Sequence, residues 1–304
     1  MGSYNHRLYC LGMGGGAVHW QFSTQGMLKG APLVTSQGVF LGSYDKRLYR
    51  LSHAGRLVWS CQPCQGSLLA SPLLLPCGTA LLAASLCGAV AAVALEDGSL
   101  LWSLALGKPI FGTPLVWGGG RIVVPSTQGC VICVSPGGEE VWRREVEGPV
   151  FSSPITTEGG EGVLVGDHSG AVTCLDGEGG VVWSTKVGDA VAGAVDCGPG
   201  GRVVVATTQG ELVVLGDQGD QLGRCRLPGE VFSSPLLLGD RLVVGCRDDF
   251  LYCLNISSIK PGEEAETAMK NEANKEESKG GGAIEEGKVT DSVTYGFRPE
   301  FELI

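Results

Sequence analysis

Two identical settings place a pair of hydroxyls ahead of a proline: Phe151-Ser152-Ser153-Pro154 and Phe232-Ser233-Ser234-Pro235. A serine nucleophile needs a base within hydrogen-bond reach and donors for the developing oxyanion. Elsewhere the same two slots hold Gly30-Ala31, Ala70-Ser71 and Gly112-Thr113, so the pattern asks for small side chains rather than hydroxyls. No catalytic role is expected for these serines.

Cysteine offers a second chemistry. Of the 12 in the chain, Cys61 and Cys64, and Cys130 and Cys133, stand at the C-x-x-C spacing of zinc and dithiol sites. Cys133 shares a slot with Cys10, Cys174 and Cys253, one residue before an apolar strand end, and strand residues three apart point to opposite faces. Cys61 and Cys64 flank Pro63 in a connector where a thiol pair could form, but no second pair or histidine stands near them in sequence. The histidines His6, His19, His53 and His168 include no two at ligand spacing. Neither a metal nor a bound cofactor is expected.

The elements that carry these residues repeat with a period of about forty. Pro32, Pro72, Pro114, Pro154, Val195 and Pro235 follow one another at 40, 42, 40, 41 and 40 residues. Trp20, Trp59, Trp102, Trp142 and Trp183 keep step, with Gly223 in the next slot. A third marker, the apolar strand end at Leu11, Leu51, Val93, Val134, Leu175, Leu215 and Leu254, falls between them. Each period reads as four short strands joined by turns, and 49 glycines in 304 residues supply the positive backbone angles such turns need. One tryptophan per period is read as a packing anchor between neighbouring sheets. Small four-stranded sheets bury both faces only by packing on one another around an axis.

The fold expected is therefore all-β: a β-propeller of about seven four-stranded blades over residues 1–255, incomplete at its N-terminus. Met1 falls inside a blade, so the chain is expected to be part of a longer protein, with the strand at Trp20 available to complete the last blade. Residues 256–304 carry eleven acidic and six basic residues and few large apolar ones, and are expected to be a disordered tail. The apolar stretch from Tyr295 to Ile304 stands out there as a docking motif.

Composition excludes several partners. A net charge of −10 without a basic cluster argues against nucleic acid. Ser67 to Leu95 has no charged side chain and could span a bilayer by length, but Pro72, Pro76, Gly78 and Gly88 cut it to strand-sized pieces in the repeat's register. No membrane span is expected. Scattered cysteines without a leader sequence read as reduced thiols in the cytoplasm, and His6 replaces the Ser or Thr of a myristoylation start.

Binding specificity on a rigid scaffold lies in loops that differ between equivalent units. The turn before each Leu-marked strand contains Asp45 and Lys46, Asp167 and His168, and Arg247, Asp248 and Asp249. These form a candidate binding rim for a protein segment or a tethered acceptor.

The glycine turn ahead of Trp in Asp97-Gly98-Ser99-Leu100-Leu101-Trp102 resembles the pyrroloquinoline-quinone-type repeat. The quinone enzymes of that type carry a Cys-Cys dipeptide and calcium carboxylates; no such dipeptide occurs here. Leu106–Pro114, Gly148–Pro154 and above all Leu227–Leu254 resemble the C-terminal propeller of the beta-alanine-activating enzyme family, also called acyl-CoA synthetase family member 4. That resemblance implies adenylation and carrier domains elsewhere, whose catalytic motifs have no counterpart in this chain. It implies a noncatalytic recognition module of an acid-thiol ligase. The alternatives are a quinone-binding oxidoreductase module and an assembly scaffold.

Overall fold

Turn glycines and short apolar runs cut the chain into strands too short to stand alone, so each must find partners within one repeat. The computed structural model describes residues 1–256. The acidic run after Ile256 and the stretch from Tyr295 to Ile304 lie outside the described residues. Contacts divide the chain into two compact units, Met1–Pro154 with Gly177–Gly180, and Ile155–Asp176 with Val181 onward.

In the first unit, β1 (Arg7–Leu11) pairs antiparallel with β2 (Val18–Ser23). Three four-stranded meanders follow: β3 (Leu33–Thr35), β4 (Gly38–Gly42), β5 (Leu48–Leu51) and β6 (Leu57–Cys61); β7 (Leu73–Leu74), β8 (Ala80–Ala84), β9 (Ala89–Ala94) and β10 (Leu100–Ala105); then β11 (Leu115–Trp117), β12 (Arg121–Ser126), β13 (Cys130–Val134) and β14 (Glu140–Glu145). The second unit holds two more, β15 (Ile155–Thr156), β16 (Val163–Gly166), β17 (Ala171–Leu175) and β18 (Val181–Lys186), and β19 (Asp196–Cys197), β20 (Val203–Ala206), β21 (Glu211–Leu215) and β22 (Gln221–Arg226). A three-stranded sheet of β23 (Leu236–Leu238), β24 (Arg241–Gly245) and β25 (Leu251–Asn255) ends it.

The middle strands bury both faces, which is why they read as unbroken apolar runs. Val203, Val205, Val213 and Leu215 pack against Leu164 and Val172, while Val204, Leu212 and Val214 pack against Leu242, Val244 and Tyr252. One sheet thus supplies two cores through the period-two alternation of its strands. In the first unit, Ile122, Val124, Ile132 and Val134 join Leu82, Ala84, Val90 and Ala92 in the same way. Full burial of each such Val, Leu or Ile is worth about 1.5–3 kcal/mol. The uncharged run from Ser67 to Leu95 is β7, β8 and β9, with β8 wholly buried. Among the described residues no helix is long and apolar enough to cross a membrane.

The tryptophans fasten one sheet to the next. The indole N–H of Trp20 donates to the carbonyl of His53 at 2.9 Å, that of Trp59 to Leu95 at 3.3 Å, and that of Trp102 to Pro136 at 3.0 Å. Trp142 reaches Gly177 at 3.0 Å, and in the second unit Trp183 reaches Asp217 at 2.9 Å. Each ring lies on a positive-φ glycine of the turn it bonds; a Cβ at Gly138 would stand 2.6 Å from Trp102, and one at Gly219 2.5 Å from Trp183. The glycines ahead of each Trp slot therefore serve the turn and also the incoming ring. A bulge stands opposite the Leu marker, as where Val134 pairs with Glu140 and Cys133 with Trp142.

Two expectations from the repeat change. β2, which carries Trp20, is held by β1, so the strand at Leu11 is in use and the last sheet has three strands among the described residues. The hydroxyl before each proline is also more than a small filler. Ser71 Oγ accepts from the Ala31 N–H at 2.9 Å, Thr113 Oγ1 from Ser71 N–H at 3.1 Å, and Ser153 Oγ from Thr113 N–H at 2.9 Å. In the second unit Ser234 Oγ accepts from Ala194 N–H at 2.9 Å. The preceding slot is the one that demands smallness: a Cβ on Gly112 would meet the Ser152 carbonyl.

Candidate functional site

Every candidate rim residue lies in the turn between the second and third strands of a sheet. The turn's fourth residue has positive φ. Glycine fills that place at Gly88, Gly129, Gly170 and Gly210, but His6, Lys46 and Asp249 hold it at φ 67°, 71° and 69°. These three are the positive-φ residues other than glycine among the described residues, and each follows an Asn or Asp that stabilises the turn from its own side chain.

In the first unit, Asp45 Oδ1 accepts from Arg47 N–H at 3.0 Å, and Oδ2 accepts from Gln25 N–H at 2.9 Å and from the Tyr49 hydroxyl at 2.7 Å. In the second unit, Asp248 accepts from Phe250 N–H at 3.2 Å and from the Tyr252 hydroxyl at 2.5 Å. Asn5 holds the equivalent turn by accepting from Arg7 N–H at 3.2 Å and donating its side-chain amide to the Tyr9 hydroxyl at 2.8 Å. Burial first, and then the carboxylate partner, push the phenols of Tyr49 and Tyr252 well above their ordinary range. Burial pushes the Asp248 carboxyl up, but hydrogen bonds from Tyr252, Cys246 and the Phe250 N–H outweigh it and hold it low.

Asp167 stands elsewhere in the turn. It fills the first position, the slot of Ser43 and Cys246, and is 1% exposed. Its Oδ1 accepts from Ser169 N–H, Ser169 hydroxyl and Ala171 N–H at 2.8, 2.5 and 3.2 Å. The Lys186 ammonium donates to Ser169 Oγ at 2.8 Å. Three of the four carboxylates of the candidate set, Asp45, Asp167 and Asp248, are thus engaged in shaping their own turns.

What remains at the surface is Lys46 in the first unit, and His168, Arg247 and Asp249 in the second, all exposed. Arg247 lies over the Phe232 ring, its Cζ 4.3 Å from the centroid, and pairs with Glu230 at 3.1 Å. That pair is exposed and contributes little to stability, so the guanidinium is presented rather than buried. The repeat slot ahead of the small pair adds residues the turn pattern did not reveal: in the first unit Phe111 and Phe151 stand 5.1 Å apart, tilted and half-buried. Their signal was the shared letter in "FGTP" and "FSSP". Among the described residues no cluster of three His, Cys, Asp or Glu side chains is placed to hold a metal ion.

Equivalent turns with differing tips, on sheets joined by Trp and glycine, match one family throughout the described chain. A family model described as "Beta-alanine-activating enzyme, beta-propeller" covers residues 1–256. The chain belongs to this family. The beta-alanine-activating enzyme of Danio rerio is 38% identical over 116 residues, which are 35% of this chain and 10% of that protein. That of Drosophila melanogaster is 31% identical over 206 residues, 60% of this chain and 20% of that protein. The chain therefore matches no more than a fifth of the length of these relatives. In structure it is similar to BamB from Moraxella catarrhalis, with TM-score 0.70 at 17% identity over 83% of this chain and 80% of that one. The fold is a β-propeller.

Proposed function

We propose that this propeller is a noncatalytic recognition module of a beta-alanine-activating enzyme, binding a protein partner or a tethered acceptor through its second-to-third-strand turns. One observation carries the reading: turns of one backbone design present different side chains, Lys46, His168, Arg247 and Asp249, while their other polar groups hold the fold together. The adenylate-forming and thioester chemistry implied by the family belongs to polypeptide outside this chain. The setting is the cytoplasm, where the free cysteines stay reduced between oxidative events.

Fluorescence anisotropy of the labelled chain, titrated with a beta-alanine-activating enzyme lacking its propeller, tests this. Saturable binding is expected, weakened about tenfold, some 1.4 kcal/mol, by the double variant Lys46→Glu, Arg247→Glu. An unchanged affinity in the double variant overturns the assignment of the turns. Beta-alanine-dependent ATP cleavage by the chain alone overturns the noncatalytic reading. Stoichiometric uptake of pyrroloquinoline quinone with calcium, followed by absorbance, would replace it with the quinone-binding alternative.

A further inference from the structure

The connector that leads into each sheet lies against that sheet's own second-to-third-strand turn. A Cβ at Gly26 would sit 2.4 Å from Asp45 N, and one at Gly66 would sit 2.4 Å from Cys87 N and 2.8 Å from Cys87 Cβ. The two connectors are equivalent, and Cys64 stands two residues before Gly66 as Thr24 stands two before Gly26. Thr24 donates its hydroxyl to Gly26 O at 2.7 Å, within its own connector. Cys64 instead faces the turn between β8 and β9. Its Sγ is 4.0 Å from Ala89 O, the carbonyl that also takes the Ser85 hydroxyl at 3.0 Å.

That hydroxyl reaches a second thiol. Ser85 Oγ is 3.0 Å from Cys87 Sγ, and it is fixed in place by bonds to Ala89 O at 3.0 Å and from Ala89 N–H at 3.3 Å. Two thiols from segments in backbone contact therefore flank one Ser85–Ala89 hydrogen bond, Cys87 at the hydroxyl and Cys64 at the carbonyl. They differ in access: Cys87 is exposed and Cys64 is 7% exposed. We propose that Cys64 and Cys87 are a reversible disulfide site, oxidised by a peroxide that reaches Cys87 first. The C-x-x-C partner Cys61 is left out of the bond.

The chemistry balances in two steps. The Cys87 thiolate attacks one peroxide oxygen; the S–O bond forms, the O–O bond breaks, and the departing hydroxide takes up a proton as water. Cys64 then loses its proton to solvent and attacks the Cys87 sulfur; the S–S bond forms, the S–O bond breaks, and a second water leaves. Two thiols and one hydrogen peroxide give one disulfide and two waters. Burial pushes the Cys64 thiol up to about 11, so the second step accelerates as pH rises. The bond would tie the connector to the turn between β8 and β9, and a dithiol reductant would release it.

The 304-residue chain treated with hydrogen peroxide, blocked with N-ethylmaleimide and digested with pepsin at acid pH tests the pairing by mass spectrometry. A cross-linked peptide pair joining Cys64 to Cys87 is expected, lost after dithiothreitol and absent in Cys87→Ser. Cys61→Ser should form it normally. In Cys64→Ser, which places a hydroxyl where Thr24 carries one, Cys87 should accumulate as sulfenic acid trapped by dimedone. A Cys61–Cys64 bond, a Cys87-linked dimer of wild type, or Cys87 sulfinic acid beside an alkylated Cys64 would each overturn the proposal.

Discussion

Gly138 sits at φ 89° with the Trp102 ring where its Cβ would be, whereas Gly119 sits at φ 70° with nothing within 4 Å of the same point. Gly119→Ala should therefore cost only the left-handed backbone strain, about 1 kcal/mol. Gly138→Ala adds displacement of the indole and should cost about 3 kcal/mol in all, read from urea midpoints followed by Trp fluorescence. Tyr49 and Tyr252 make a second residue-scale prediction. Their phenol pKa values are raised in the fold, so the stability they contribute is full below the ordinary value of about 10 and is lost as pH rises through the folded values. Absorbance at 295 nm should show these tyrosines ionising late in the native chain and near pH 10 in urea. In Tyr252→Phe the late phase should shrink. None of this was visible in the letters alone: "DKRLY" and "DDFLY" look like solvated turns until Tyr49 and Tyr252 are seen on Asp45 and Asp248.

At the scale of the element, the strand entries form a chain of hydroxyl-to-amide bonds between successive sheets. Ser153→Ala should leave the Thr113 N–H without its acceptor and cost about 1–2 kcal/mol, with faster hydrogen exchange at that amide. Ser153→Thr should be tolerated, since Thr113 does the same work for Ser71. By sequence these slots read as small-residue positions because Ala31 fills one of them; Ala194 fills another. Both alanines donate from their backbone, a role that needs no side chain. The strand at Trp20 was misplaced for a related reason. A marker residue fixes a strand's type but not its neighbour, and β1 claims β2 through local hairpin pairing. Among the described residues the three-stranded sheet ends in β25, where Leu251 is 48% exposed. Open strand edges favour self-association, so Leu251→Lys should lower light scattering of concentrated solutions with little change in melting temperature.

For the whole molecule, the net charge of −10 predicts weak attraction to a phosphate backbone. The chain should pass through a heparin column at about 0.1 M salt, where the Debye length is near 10 Å and a basic patch would still be held. Retention would contradict the charge argument. The fold class, the family and the period were legible in the sequence because most sheets meet the same constraints: a small pair and proline at entry, a buried strand end, a turn glycine and an indole to lie on it. Forty-residue spacing is the length of four short strands and their turns, and it survives substitution at any one marker. Only the tertiary structure decided which polar groups are spent and which are presented. Asp167 looked equivalent to Asp45 but is buried in its own turn, and Cys64 lies against the turn between β8 and β9 that carries Cys87. The physical reason is that strand register follows from local alternation and turn chemistry, whereas the partner of a side chain depends on backbone segments from different strands and connectors meeting in space.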